Sequence, residues 1–500
     1  MVSFMEFEYK IEDGYAVITG FKGDAECLRI PRQVDGVDVK AIGNGVFTLS
    51  KIKSLVIEEG IEKIGQSAFA KSSSLTKVSF PESLKIIDNS AFEGCGAIKS
   101  LKIGKNVEEI GDKAFSWCSA VEELIFEPCR SLKIGFNSFA FCWKLKEVVF
   151  AEGLEYIGKA AFSVCGSIKK VVLPKSLLEI GNQAFEACSA LEDVEFSEGL
   201  VKIGGWAFRE CKNLRAADIP KTVREIGDGA FLSCVLIKSV KIPEGVKCLN
   251  EWLFGKCKGL ERIELPEGLG EIGSFVFSRC RCIKKINMPS TLKTVKRGAF
   301  SVCSEMEDIK FKIGLKKLEN RAFEICKGLK TVTIPYTIKR ISKNIFYECG
   351  NLVGINYVSN DSVAGTVFVP YEPVGLRFIK NTGKGQVDFE AYDQMFKRLK
   401  KFECKYKMAF YRLKNGKALS GEARDMYVAY LRKYSNRIIT EAIKNGDTNV
   451  IGFMGDNDII LKSHIGDYIR LSSDEGGLCT GYFINYRQKR FGGVKNRFVL

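Results

Sequence analysis

Thiols and one imidazole are the side chains here best suited to chemistry: the chain holds 18 Cys and a single His in 500 residues. A thiolate can ligate a metal, exchange disulfides or attack an electrophile, given a neighbour that lowers its pKa. One histidine excludes any site that needs two, as most catalytic zinc centres do. A Cys–His nucleophile pair would have to join His464 to Cys404 or Cys479, and nothing in the sequence brings them together. Asp456 and Asp458 in G-D-N-D echo a calcium loop, without its glycine and distal glutamate. Phosphate loops of the form G-x-x-x-x-G-K-S/T, G-x-S-x-G elbows and H-E-x-x-H zinc motifs do not occur. The stretch from Asn381 to Gly385 reads as a flexible linker. The expectation is a non-enzyme with no cofactor and no metal.

The elements that position these residues follow from a repeat. From Phe47 to Phe346, fourteen phenylalanines recur with gaps of 22, 23, 23 and 24 residues and then nine gaps of 23. A clean unit runs from Cys326 to Phe346, C-K-G-L-K-T-V-T-I-P-Y-T-I-K-R-I-S-K-N-I-F. In V-x-I the outer two residues alternate inward, as in a short strand. Proline at Pro81, Pro174, Pro220, Pro243, Pro266, Pro289 and Pro335 ends that strand's pairing. L-x-x-I-G then turns the chain again, and its glycine is read as a permissive backbone. The A-F pair is expected inside. A repeat of this size cannot bury both its sides, so the units must stack into a solenoid. At about 4.8 Å per strand, fourteen coils span roughly 65 Å.

The cysteines sort by the same register. Cys95, Cys118, Cys142, Cys165, Cys188, Cys211, Cys234, Cys257, Cys280, Cys303, Cys326 and Cys349 each stand three residues after a repeat Phe. Metal binding and a disulfide stack are the chemical readings of such a column. A ladder of small buried thiols, each a weak donor to the turn beside it, is the packing reading, and it fits better. Metal ligands must converge on a point, whereas a column spreads them along the axis. Ser50 and Ser72 fill the same place in the first two coils. Cys27, Cys129, Cys248, Cys282, Cys404 and Cys479 lie outside the column.

The pattern resembles the BspA-like leucine-rich repeat, whose unit is close to C-x-x-L-x-x-I-x-I-P-x-x-L-x-x-I-G-x-x-A-F-x-x. The resemblance covers about Cys27 to Phe346 and departs where I-G becomes Leu249-Asn250, Val295-Lys296, Leu318-Glu319 and Ile341-Ser342. Those coils are expected to differ in their turns. Tyr15 to Gly20, then Ile30-Pro31, resembles the usual entry segment. The resemblance implies a parallel-sheet solenoid that recognises macromolecules, and it supplies no catalytic residue.

The middle residue of V-x-I faces outward. From the third repeat it reads Lys102, Ile125, Val149, Val172, Glu195, Asp218, Lys241, Glu264, Asn287, Lys310, Thr333 and Asn356. Ile125, Val149 and Val172 are three successive apolar residues, and Trp117, Phe141 and Trp143 fall in the same coils. Together they are a candidate contact patch. The alternatives are a covering loop or domain, or tryptophans placed in the core.

After Cys349 the repeat decays, and Val367 to Pro370 reads as a last strand. The division expected is an N-terminal cap over 1–26, the solenoid over 27–370, a linker over 371–386 and a helical domain over 387–500. Helical spacing joins Phe389, Tyr392, Phe396 and Leu399, then Phe402, Tyr406, Ala409, Phe410 and Leu413. Ser420 is placed to cap a helix through Tyr427 and Leu431, and Asn445-Gly446 to end the next. Gly446 to Met454 and Ser473 to Tyr486 resemble ankyrin repeats, without the T-P-L-H turn. The fold class expected is thus a leucine-rich-repeat parallel β-sheet solenoid followed by an all-α, ankyrin-like domain.

Composition limits the partners. Hydrophobic residues at 46% and charged residues at 27% are those of a globular chain, not a disordered or fibrous one. The net charge is +16, of which residues 386–500 carry +8 from 21 basic and 13 acidic residues. Lys397, Arg398, Lys400, Lys401, Lys405 and Lys407 are the tightest basic run. It reads either as nucleic-acid or polyanion contact or, more simply, as a solvated helix face. No export signal and no apolar run long enough to cross a membrane are seen, so a cytoplasmic address is expected. The function expected is a scaffold binding a protein or peptide along the solenoid; the alternative is polyanion binding through the basic helical part.

Overall fold

The structure is a computed structural model and describes residues 6–367 except 24, 336, 343, 353, 360 and 361, and residues 389–492 except 400, 401 and 417. Two compact units result, Met1–Leu352 and Val353–Leu500.

The first unit opens with an antiparallel hairpin, Glu6–Glu12 against Tyr15–Lys22. Every later coil has three sides. The V-x-I side pairs in parallel from coil to coil, as in Ser100–Ile103, Glu123–Phe126, Glu147–Val149, Lys170–Val172 and Asp193–Glu195. The L-x-x-I-G side makes a second parallel ladder, running without a break from Val37–Ile42 to Glu225–Ile226 and resuming from Cys248–Leu249 to Arg340–Ile341. The third side holds A-F in a turn. Its coils are joined by backbone bonds such as Phe162 N–H to Ala184 O at 2.8 Å and Phe185 N–H to Ala207 O at 2.8 Å. Most backbone groups therefore find partners in the adjacent coil, which is why no repeat is stable alone.

The core is a column of rings. All fourteen repeat phenylalanines are buried, and consecutive rings stack with centroids 5.0 to 6.0 Å apart. Ala beside each Phe leaves room for this stack. Two residues per coil, two before and two after the Phe, hold left-handed backbone; Gln183 (φ 61°) and Ala187 (φ 58°) flank Phe185. Non-glycine residues there cost strain that the coil-to-coil bonds must offset.

Two expectations about turns need correction. The glycine of I-G is not there for a left-handed φ. It is there because the coils approach too closely for a side chain: a Cβ on Gly158 would lie 2.3 Å from Gly135 O, and one on Gly181 2.6 Å from Ile157 O. Nor do the coils lacking that glycine change their register. Lys296 N–H still donates to Ile272 O, and Glu319 N–H to Val295 O, both at 2.9 Å, as Gly181 N–H does to Ile157 O. The bond belongs to the backbone, so the stack preserves it.

The second unit begins with an antiparallel hairpin, Gly354–Ser359 with Ser362–Val367. The expected last strand thus ends in the described part at Val367; residues 368–370 and the expected linker over 371–386 lie outside it. Seven helices follow: α1 (Phe389–Arg398), α2 (Phe402–Asn415), α3 (Gly421–Lys433), α4 (Ser435–Lys444), α5 (Thr448–Asp456), α6 (Ile465–Asp474) and α7 (Thr480–Phe491). Ser420 caps α3 through its Oγ, which accepts from Ala423 N–H at 3.2 Å. Asn445 ends α4, with Gly446 beyond it at φ 65°. Gly446 to Met454 forms the entry of α5, and Ser473 to Tyr486 runs from the end of α6 into α7. Tyr392, Phe396, Leu399, Ala409 and Leu413 are buried.

Candidate recognition surface

The strand face is built by register. Ile125 pairs with Val149 and Val149 with Val172, so the three side chains stand side by side on adjacent strands. Their neighbours Leu124, Val148 and Val171 point inward and are buried. That alternation leaves Val149 41% and Val172 48% exposed, with Ile125 half-buried. The trio is bordered in register by charge. Lys102 pairs with Ile125 and is bridged to Glu127 at 2.6 Å. Glu195 pairs with Val172 and is bridged to Lys170. An apolar centre with a polar rim is the anatomy of a protein contact.

The three aromatic candidates form a second group, on the turn that precedes the strand. Trp117 and Phe141 occupy the left-handed position two residues after the repeat Phe, at φ 63° each. This turns their rings outward, where they stack at 4.4 Å with 15° between planes. Trp143 meets Trp117 edge-on at 5.3 Å. Trp117 is 44% and Trp143 46% exposed, so neither tryptophan is core. The two groups share coils but sit on different parts of them, strand and turn.

Further exposed apolar residues escaped the column reading. Tyr156, Leu178 and Val201 are exposed on the second ladder. Trp206, Trp252 and Phe275 occupy the left-handed position two residues before the repeat Phe, and the last two stack at 4.6 Å. Reading the columns at those offsets, as was done for V-x-I, would have found both sets.

The cysteine column is a hydrogen-bonded one. Each of its twelve thiols donates to the carbonyl of the repeat Phe one coil earlier, from 2.9 Å at Cys349 to 3.5 Å at Cys142. Ser72 Oγ makes the same bond to Phe47 O at 2.9 Å. Burial pushes Cys95, Cys188 and Cys257 up to about 12, so the thiols stay protonated and inert. Outside the column, Cys27 is exposed and Cys282 half-buried, while its neighbour Cys280 points inward to Phe254 O. Among the described residues no group of three or more His, Cys, Asp or Glu is arranged to hold a metal. Asp458 is paired with Arg490, and His464 lies half-buried beside Ser463 and Tyr468.

The basic run divides between two helices. Lys397 on α1 lines a polar cleft of about 340 Å³ with Glu390, Asp393 and Glu422. Lys405 on α2 lies over the rings of Phe396 and Tyr430, at 5.1 and 5.6 Å, and Lys407 is exposed. Lys400, Lys401 and the side chains of Arg398 and Cys404 lie outside the described residues. Among the described residues no helix is long and apolar enough to cross a membrane.

Comparison with known proteins agrees with this architecture. A leucine-rich repeat protein from Bacteroides ovatus is similar at 24% identity, over 72% of this chain and 99% of its own, with a TM-score of 0.55. A leucine-rich cell surface protein from Faecalibacterium prausnitzii matches at 22% identity, over 72% and 96%, with a TM-score of 0.39. The pneumococcal vaccine antigen PcpA matches at 17% identity, over 71% and 92%, with a TM-score of 0.45. Of the three, the Bacteroides protein alone superposes closely enough to speak to the fold. No curated protein matches the chain. The model of the BspA type leucine-rich repeat region matches residues 40–133, 132–261 and 224–353, and over that span the chain belongs to the BspA type leucine-rich repeat family.

Proposed function

We propose that the protein is a non-enzymatic recognition scaffold that binds a protein or peptide on the V-x-I face of the coils holding Ile125, Val149 and Val172. The observation that carries this reading is the in-register apolar trio, solvent-exposed and framed by Lys102 and Glu195. Such a patch has no packing role inside the coil, and its removal from water supplies affinity without reactive groups. Trp117, Phe141 and Trp143 supply aromatic anchors on the neighbouring turn. The ankyrin-like reading of α3 to α7 belongs to the same proposal, as a second recognition module.

The test is Val149→Asp with Val172→Asp in the full chain. Both side chains point away from the core, so the thermal unfolding curve should stay within a few degrees of the parent's. Partner capture should fall by roughly tenfold or more, since two charges would be buried unpaired in the contact. Unchanged capture by the folded variant would remove this face from consideration.

A further inference from the structure

The second ladder changes character along the solenoid. Its outward column, two residues before the inward Ile, is traced by coil-to-coil backbone bonds. In the first coils the column alternates in sign: Glu62 is bridged to both Lys40 at 2.9 Å and Lys85 at 2.6 Å, and Lys85 O accepts from Glu108 N–H. Past the apolar Leu178 and Val201 it turns basic. Lys316 N–H donates to Lys293 O and Lys339 N–H to Lys316 O, both at 2.8 Å, so three lysines are stacked in consecutive coils. The adjacent column adds Lys317 paired in register with Arg340.

These five cations carry no neutralising partner. Lys293, Lys317, Lys339 and Arg340 are exposed and Lys316 half-exposed. Among the described residues none of the five side chains makes an ion pair or hydrogen bond, whereas Lys296 in the same coils is bridged to Glu271 at 2.7 Å. Like charges directly opposite one another destabilise a sheet. The first coils avoid that cost by alternation, and the last coils accept it, which calls for an anionic occupant.

We propose that this ladder binds a single-stranded nucleic acid along its phosphodiester backbone. The site is distinct from the apolar trio and from the basic run on α1 and α2. Ammonium groups act as point charges suited to phosphate, whereas planar carboxylates favour the guanidinium fork, and four of the five cations are lysines. The coils set one lysine every 4.8 Å or so. A duplex strand advances only about 3.4 Å per phosphate and winds away from a straight track. A single strand can extend to follow it. Recognition by a charged track alone is tolerant of sequence.

The experiment is fluorescence anisotropy of a labelled twenty-nucleotide oligothymidine with the full-length protein between 50 and 200 mM NaCl. Salt-dependent binding is expected. Lys316→Gln with Lys317→Gln and Lys339→Gln should weaken it roughly tenfold or more and lower the log–log salt slope by about 2, at about 0.7 per phosphate contact. Lys397→Gln with Lys407→Gln should leave it unchanged. Loss of repulsion should leave the triple variant's melting temperature equal or higher; Lys293→Gln with Lys316→Gln gives an independent reading if it does not fold. Absence of binding at 50 mM NaCl, or full binding by a folded ladder variant, would overturn the proposal. So would tighter binding of a duplex of equal length. Competition by polyglutamate equal to that of oligothymidine at matched charge would assign the ladder to an acidic polypeptide instead.

Discussion

A thiol column is the feature that most defines this chain at the scale of single residues, and its chemistry is a matter of protonation. A thiol must keep its proton to donate to the Phe carbonyl of the preceding coil. Cys95, Cys188 and Cys257 ionise only near pH 12 when buried, against 9.0 for the free group. The unfolded chain therefore releases these protons first, and binds fewer of them between pH 9 and 12. Stability from the column is fully present below about pH 9 and is lost as pH rises through the folded values. The urea midpoint, followed by circular dichroism, should fall steeply across that window. Cys188→Ser keeps a donor, as Ser72 does naturally, and removes one ionisable group. Its pH profile should be shallower than the parent's at similar neutral stability. Identical alkaline profiles would show that the thiols carry none of the effect.

Single elements matter most in the helical unit, where α1, α2 and α3 share one buried ion pair. Arg412 on α2 is 1% exposed. Its Nε and a terminal nitrogen donate to the two oxygens of Asp393 on α1 at 2.7 and 2.9 Å. Tyr427 on α3 donates to the same carboxylate at 2.7 Å. The guanidinium also lies 4.4 Å over the Phe389 ring. Breaking a buried pair leaves the other charge unsolvated, at about 3 to 5 kcal/mol. Arg412→Met should therefore destabilise the helical unit by about that amount in thermal or urea unfolding. Arg412→Met combined with Asp393→Leu should recover much of the loss. A cost under about 1 kcal/mol for the single change would mean water or movement relieves the carboxylate. Helical spacing announced α1 and α2 through their aromatic residues. It did not announce the ion pair, because Asp393 and Arg412 sit among other charges and their burial depends on how the helices turn.

On the scale of the whole molecule the solenoid is close to one-dimensional. Each coil touches its neighbours, and stability is a sum of intrinsic and interface terms. The Phe stack and the backbone ladders run through every interface, so a break should be felt locally. Phe185→Ala removes a ring held between Phe162 and Phe208 at 5.5 and 5.4 Å. It should cost about 3 to 5 kcal/mol. Hydrogen exchange should show lost protection centred on the coils of Phe162, Phe185 and Phe208, with the coils near Phe47 little changed. Uniform loss over all fourteen coils would show that the array opens as a single unit instead.

Much of this was legible in the amino-acid order alone. A period of 23 residues determines which positions stack, because a side chain's neighbours are its counterparts one coil away. Phe185, Cys188 and the trio Ile125, Val149 and Val172 could therefore be assigned to columns without coordinates. Distance and exposure belonged to the tertiary structure. The closeness of the coils at Gly158 explains its glycine, and a φ argument from sequence could not see it. The left-handed turns that push Trp117 and Phe141 outward, and Trp252 with Phe275 at a second corner, arise from how each coil bends. Lys293, Lys316 and Lys339 are ordinary lysines 23 residues apart until the backbone bonds set them side by side. Periodicity names the neighbours; only the folded coil decides which of them face water and which go unpaired.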